Sequence, residues 1–177
     1  MSQLEGSINR PAAVLGAGPN LLDDFPKLPE GCVLFGVNHH AQLFTDLDYM
    51  VSNDDVTIGR DLAHEMAWRH TRAIRISRHK KQSDIVIDVP FWDAGMSSST
   101  AIWSACWMVN GPIYLCGLDC WLSKRTHFYM HEPGVGSVTR SSKEHKQQIY
   151  IQGLTKLRDP NRIRVFSGAL TEVFETA

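Results

Sequence analysis

Seven short apolar runs, at residues 12–15, 32–37, 49–52, 73–77, 84–89, 113–116 and 162–166, restrict the architectures open to this chain. Runs of this length, rich in β-branched and aromatic residues and bounded by Gly, Pro, Asn, Asp or Ser, predict strands. Between them lie stretches with helical spacing, at about 56–69, from Ser97 to about Val109, and at about 140–158. Strand and helix in alternation predict an α/β fold, a mostly parallel sheet with helices on both faces. No internal repeat and no boundary divides the chain, so residues 1–177 are expected to form a single domain.

Polar and small residues collect just after the expected strands. Gly16-Ala17-Gly18-Pro19-Asn20 follows the first, Asn38 the second, Asp54 and Asp55 the third, and Gly117 and Asp119 the sixth. In a parallel sheet those ends share one edge, where open α/β sheets hold ligands. The glycine loop has the look of a phosphate loop, although a plain tight turn would also explain it. It reads G-x-G-P-N, with neither the third glycine of a dinucleotide site nor a Walker lysine. Asn38 offers an amide suited to a base or sugar edge, having donors and an acceptor. Adjacent His39 and His40 are expected to point apart and so not to share a metal. Asp54 and Asp55 could hold a magnesium ion on nucleotide phosphates, or cap the helix that follows.

Ser97, Ser98, Ser99 and Thr100 open the central helix. Hydroxyls suit a helix start because they accept hydrogen bonds from N–H groups that lack an intrahelical partner, and the same N–H groups attract anions. Ile102, Cys106 and Val109 form one stripe of this helix, and Trp103 and Trp107 a neighbouring one expected to meet the core or a second subunit. A homo-oligomer is the corresponding expectation. The loop at 118–139 is long for a compact domain and is read as a mobile loop or reduced lid. It carries Asp119, His127, Tyr129 and His131. A histidine could take a proton from an acceptor hydroxyl, and Tyr129 could donate to a departing phosphate. His127 and His131, four apart with Glu132 alongside, could instead bind a metal, or be ordinary surface histidines.

Charge and composition narrow the classes. A formal net charge of −1 makes no general case for nucleic acid, yet Arg69, Arg72, Arg75, Arg78, Lys80 and Lys81 fall in a stretch without an acid. That stretch is either a solvated face or the footprint of a phosphate polymer. The four cysteines lack C-x-x-C spacing and are read as reduced core residues. No run approaches the roughly 20 apolar residues of a membrane helix, and the first ten residues lack a signal peptide's apolar centre, so a cytoplasmic protein is expected.

Gly16 to Leu21 (G-A-G-P-N-L), Val37 to His39 (V-N-H), the hydroxyl-opened helix with small residues Ala101 and Ala105, and Ile113 to Asp119 (I-Y-L-C-G-L-D) together carry a resemblance. They resemble the Rossmann-like domain shared by bacterial sialyltransferases of glycosyltransferase family 42 and the archaeal 6-hydroxymethylpterin diphosphokinase family. The resemblance implies a nucleotide or nucleotide-sugar donor, of CMP type in the sialyltransferases, and transfer of a sugar to a hydroxyl acceptor. It places Gly18, Asn20 and Asn38 on the nucleotide and Ser97, Ser98 and Ser99 beside it. This chain departs in having Asn20 where the family has serine, and in being too short for the full lid that bears the family's histidine base and tyrosines. Two alternatives stay open: a magnesium-dependent diphosphokinase-type transferase, and a nucleotide-binding module without catalysis. Nucleic-acid modification is a further one.

Overall fold

The computed structural model describes residues 4–43, 45–53, 62–79, 83–89, 96–118, 148, 151–157 and 159–177. Its centre is one eight-stranded sheet in the order β5-β4-β3-β2-β1-β6-β7-β8. The strands are β1 (Ala12–Leu15), β2 (Val33–Val37), β3 (Tyr49–Val51), β4 (Ile74–Ser77), β5 (Ile85–Val86), β6 (Ile113–Cys116), β7 (Ile163–Val165) and β8 (Glu175–Thr176). Every pairing between neighbours is parallel. The helices are α1 (Leu21–Asp24), α2 (Leu62–His70) and α3 (Ser97–Met108), and residues 151–154 are also helical.

The winding runs outward from β1 to β5 and then returns to the other side of β1 with β6. Parallel crossovers are right-handed, so this reversal moves the connecting segments from one face of the sheet to the other. The apolar packing agrees. Ala12 and Val14 of β1 share a cluster with Ile102 and Ala105 of α3 and with Leu154, whereas Ala13 and Leu15 share one with Leu21 of α1. Successive strand residues face opposite ways, so these clusters lie on opposite sides of the sheet. Trp68 of α2 packs with Met50, the β3 residue between Tyr49 and Val51, which belong to the α3 side. β1 is fully buried, as expected of a central strand covered on both faces.

Several boundaries differ from the sequence expectation. β5 is two residues long instead of the six expected, and Arg162 ends a 3-10 turn (Pro160–Arg162) instead of opening β7. β8 has no apolar signature and was not anticipated. Of the helix expected at 56–69, the described part runs Leu62–His70. Most of the stretch expected to be helical at 140–158, and the loop at 119–139, lie outside the described residues. Cys106 and Cys116 are buried free thiols, and burial pushes both up to about 12. Cys32 is half-buried and free, and burial raises its thiol too. Among the described residues, no helix is long and apolar enough to cross a membrane.

Candidate functional site

Because β1 neighbours both β2 and β6, the carboxyl ends of β1 and β6 form the topological switch point of the sheet. The residues there come into direct backbone contact. Gly16 N–H donates to Cys116 O at 2.8 Å, and Gly18 N–H donates to Gly117 O at 2.7 Å. A Cβ on Gly16 would lie 2.2 Å from Gly117 O, and one on Gly18 would lie 2.6 Å from it. Gly117 itself holds φ at +63°, in the left-handed region that favours glycine. All three glycines are therefore required by the approach of one loop to the other. The root of the crevice is bridged by backbone.

Pro19 and Asn20 are half-buried beyond this contact. Asn20 precedes α1, and its carbonyl accepts from Asp23 and Asp24 N–H, while its side chain makes no capping bond. Buried Asp24 accepts from Ser167 Oγ at 3.0 and 2.8 Å and from Lys27 Nζ at 3.2 Å. That cluster fixes the turn after β7 against α1, close behind the glycine loop.

Asn38, at the carboxyl end of β2, is the more unusual residue. Its φ is +58°, and its N–H donates to Val51 O of the neighbouring strand at 2.9 Å. Its side-chain Oδ1 is buried and accepts no hydrogen bond from the described residues. Orphaned buried oxygens are rare in folded proteins because each forfeits its hydration, and strained backbone clusters at ligand sites. The rings of His39 and His40 follow, with centroids 4.2 Å apart at 46°. The expectation that adjacent histidines point apart fails here because the chain leaves β2 in a turn, without the alternation of a strand.

α3 packs across β1, β2 and β3, with its first turn at the carboxyl edge. The hydroxyls that open it do other work than capping. The residue preceding the helix is Met96, which supplies no side-chain cap. Ser97 Oγ accepts from Asn53 N–H at 2.9 Å, and Thr100 Oγ1 accepts from Asn53 Nδ2 at 2.7 Å. Asn53 Nδ2 also reaches Met96 O at 3.2 Å, and its Oδ1 accepts from Arg78 N–H at 3.2 Å. One amide thus ties the ends of β3 and β4 to the start of α3. Ser98 is half-buried, and fully buried Ser99 has an Oγ with no hydrogen-bond partner among the described residues. The structure thereby brings Gly16, Gly18, Gly117, Asn38 and the first turn of α3 to one edge. Asp54, Asp55, Asp119, His127, Tyr129 and His131 lie outside the described residues.

Asn53 carries more of this edge than its sequence position suggested. Its partners Ser97 and Thr100 stand more than 40 residues away in the chain, and the only local signal was an amide directly after an apolar run. The basic stretch, in contrast, is less naked than it reads. Arg69 pairs with Glu65 at 2.6 Å, and Arg75 pairs with Asp84 at 2.8 Å. Lys80 and Lys81 lie outside the described residues. Among the described residues, no group of three His, Cys, Asp or Glu side chains is arranged to hold a metal.

Sheet order and switch point define a Rossmann-like α/β protein. Compared with known proteins, the chain matches no family model, no curated protein and no solved structure.

Proposed function

We propose that this chain binds a nucleotide or nucleotide-sugar at the carboxyl edge of the sheet and transfers the activated group, a sugar, to a hydroxyl acceptor. The observation that carries the reading is the orphaned Oδ1 of Asn38, an acceptor held in place by a left-handed backbone at the end of β2. An acceptor of this kind fits an N–H of a base or an O–H of a ribose, whose hydrogen bond replaces lost hydration. The unpartnered Ser99 Oγ, in the first turn of the twelve-residue helix α3, supports placing the anionic part of the ligand there. In this reading His127 or His131 takes the acceptor's proton, Tyr129 donates to the leaving phosphate, and Asp119 orients the acceptor. Cytoplasmic location and a homo-oligomer belong to the same reading.

The test is a thermal-shift series with cytidine, uridine, guanosine and adenosine nucleotides, with and without magnesium. A ligand that binds only the folded state raises its stability, by about 2.7 kcal/mol at a hundredfold excess over Kd. The expected outcome is magnesium-independent stabilisation by one nucleotide class. Magnesium-dependent stabilisation by ATP would transfer the assignment to a diphosphokinase-type reaction. No shift with any nucleotide would overturn the reading.

A further inference from the structure

The amino edge of the sheet holds a cavity that the proposed function does not use. It measures about 460 Å³ and lies between the crossover from β2 to β3 and the turn from α2 to β4. Gln42, Asp46, Leu47, Thr71, Arg72 and Ala73 line it. Its size falls in the range of small-molecule sites, roughly 300–1,000 Å³.

The basic run gives the first clue. Arg69 and Arg75 each have a carboxylate partner, but Arg72, between them, has none among the described residues, and it lines the cavity. Asp46, which lines the same cavity from the crossover between β2 and β3, likewise has no cationic partner among the described residues. Thr71 adds a directed donor. Its Oγ1 accepts from Gln42 Nε2 and from Ala73 N–H, the latter at 3.1 Å. With those two bonds accepted, the hydroxyl's own hydrogen is free to be donated to a ligand. The last turn of α2 ends beside the cavity at His70, where a helix terminus favours positive charge.

A lone anion would meet Asp46 and the negative end of α2, and a lone cation would meet Arg72. A molecule carrying both charges satisfies each wall. We propose that this cavity binds a small zwitterion of the free α-amino acid class. Its carboxylate lies on Arg72 and the Thr71 hydroxyl, its ammonium on Asp46, and its side chain against Leu47 and Ala73. The proposal is independent of the nucleotide reading, since it concerns the opposite edge of the sheet.

The experiment is isothermal titration of the full chain with the standard L-amino acids, with acetate and butylamine as half-ligands. At least one amino acid is expected to bind with a Kd below about 1 mM. Arg72→Ala and Asp46→Asn should each weaken it about tenfold or more. Arg69→Ala, which removes an arginine already paired outside the cavity, should leave affinity unchanged. Circular dichroism of each variant checks that the fold is retained. No binding by any amino acid would overturn the proposal, as would acetate binding as tightly as the best amino acid. Equal losses in the Arg69 and Arg72 variants would also overturn it.

Discussion

Asn38 combines a left-handed backbone with an unsatisfied buried oxygen, and both features weigh on the free protein. Leaving a buried acceptor without a donor costs about 1–3 kcal/mol. Glycine adopts φ near +58° without a Cβ penalty and removes the oxygen. Asn38→Gly is therefore expected to raise the denaturation midpoint, by about 1 kcal/mol of stability, while abolishing stabilisation by nucleotide. Urea unfolding with and without ligand reads both effects. A variant that loses stability but keeps its nucleotide response would make the amide structural. Position 38 was legible in the sequence only as an amide after an apolar run. Its backbone angle and the isolation of its oxygen were not, because both depend on where Val51 and the turn through His39 place it. The glycines at 16, 18 and 117 were legible as turn formers, but the surface they avoid is each other's backbone.

At the scale of elements, α3 is held at both ends by side chains from distant parts of the chain. Asn53 grips its first turn, and Arg162 grips its last. The Arg162 guanidinium donates to Cys106 O at 2.7 Å, to Gly111 O at 3.3 Å and to Val109 O, and its Nε meets Asp159 at 3.1 Å. A cation on the free carbonyls of a helix end satisfies both their hydrogen bonding and the helix dipole. Arg162→Ala should lower stability by about 2 kcal/mol, the scale of charged hydrogen bonds, and Arg162→Lys should recover only part of that, since one ammonium cannot span the same acceptors. Denaturant titration of the two variants checks the order. α3 and the strands β1 and β6 were readable from local pattern because burial on both faces leaves continuous apolar runs. The role of Arg162 was not, since an arginine before Ile-Arg-Val reads as the opening of a strand. The helix that it closes lies some fifty residues earlier.

For the molecule as a whole, the flank beyond β3 depends on an ion pair. Arg75 donates to both Asp84 oxygens from its side chain, at 3.0 and 2.8 Å, and its N–H adds a third bond at 2.8 Å. The Arg75 side chain, and then its backbone N–H, hold the Asp84 carboxyl below the ordinary carboxylate range. A carboxylate depressed in the folded state contributes stability above its unfolded value and loses it as pH falls through the folded one. The pair is partly exposed to solvent, so Asp84→Asn should cost less than about 1 kcal/mol near neutrality. The difference from the native chain should begin to shrink as pH falls below about 4 and vanish once pH lies below the depressed folded value, as followed by thermal melts across pH. The parallel order of the central strands followed from alternation in the sequence, whereas β8, exposed and carrying Glu175, offered no apolar signal. Both strands at the limits of the sheet, β5 and β8, are only two residues long. Each therefore presents few outward amides on which another chain could continue the ladder. Among the described residues, the two ends of the sheet thus offer little template for fibril-like growth by strand addition.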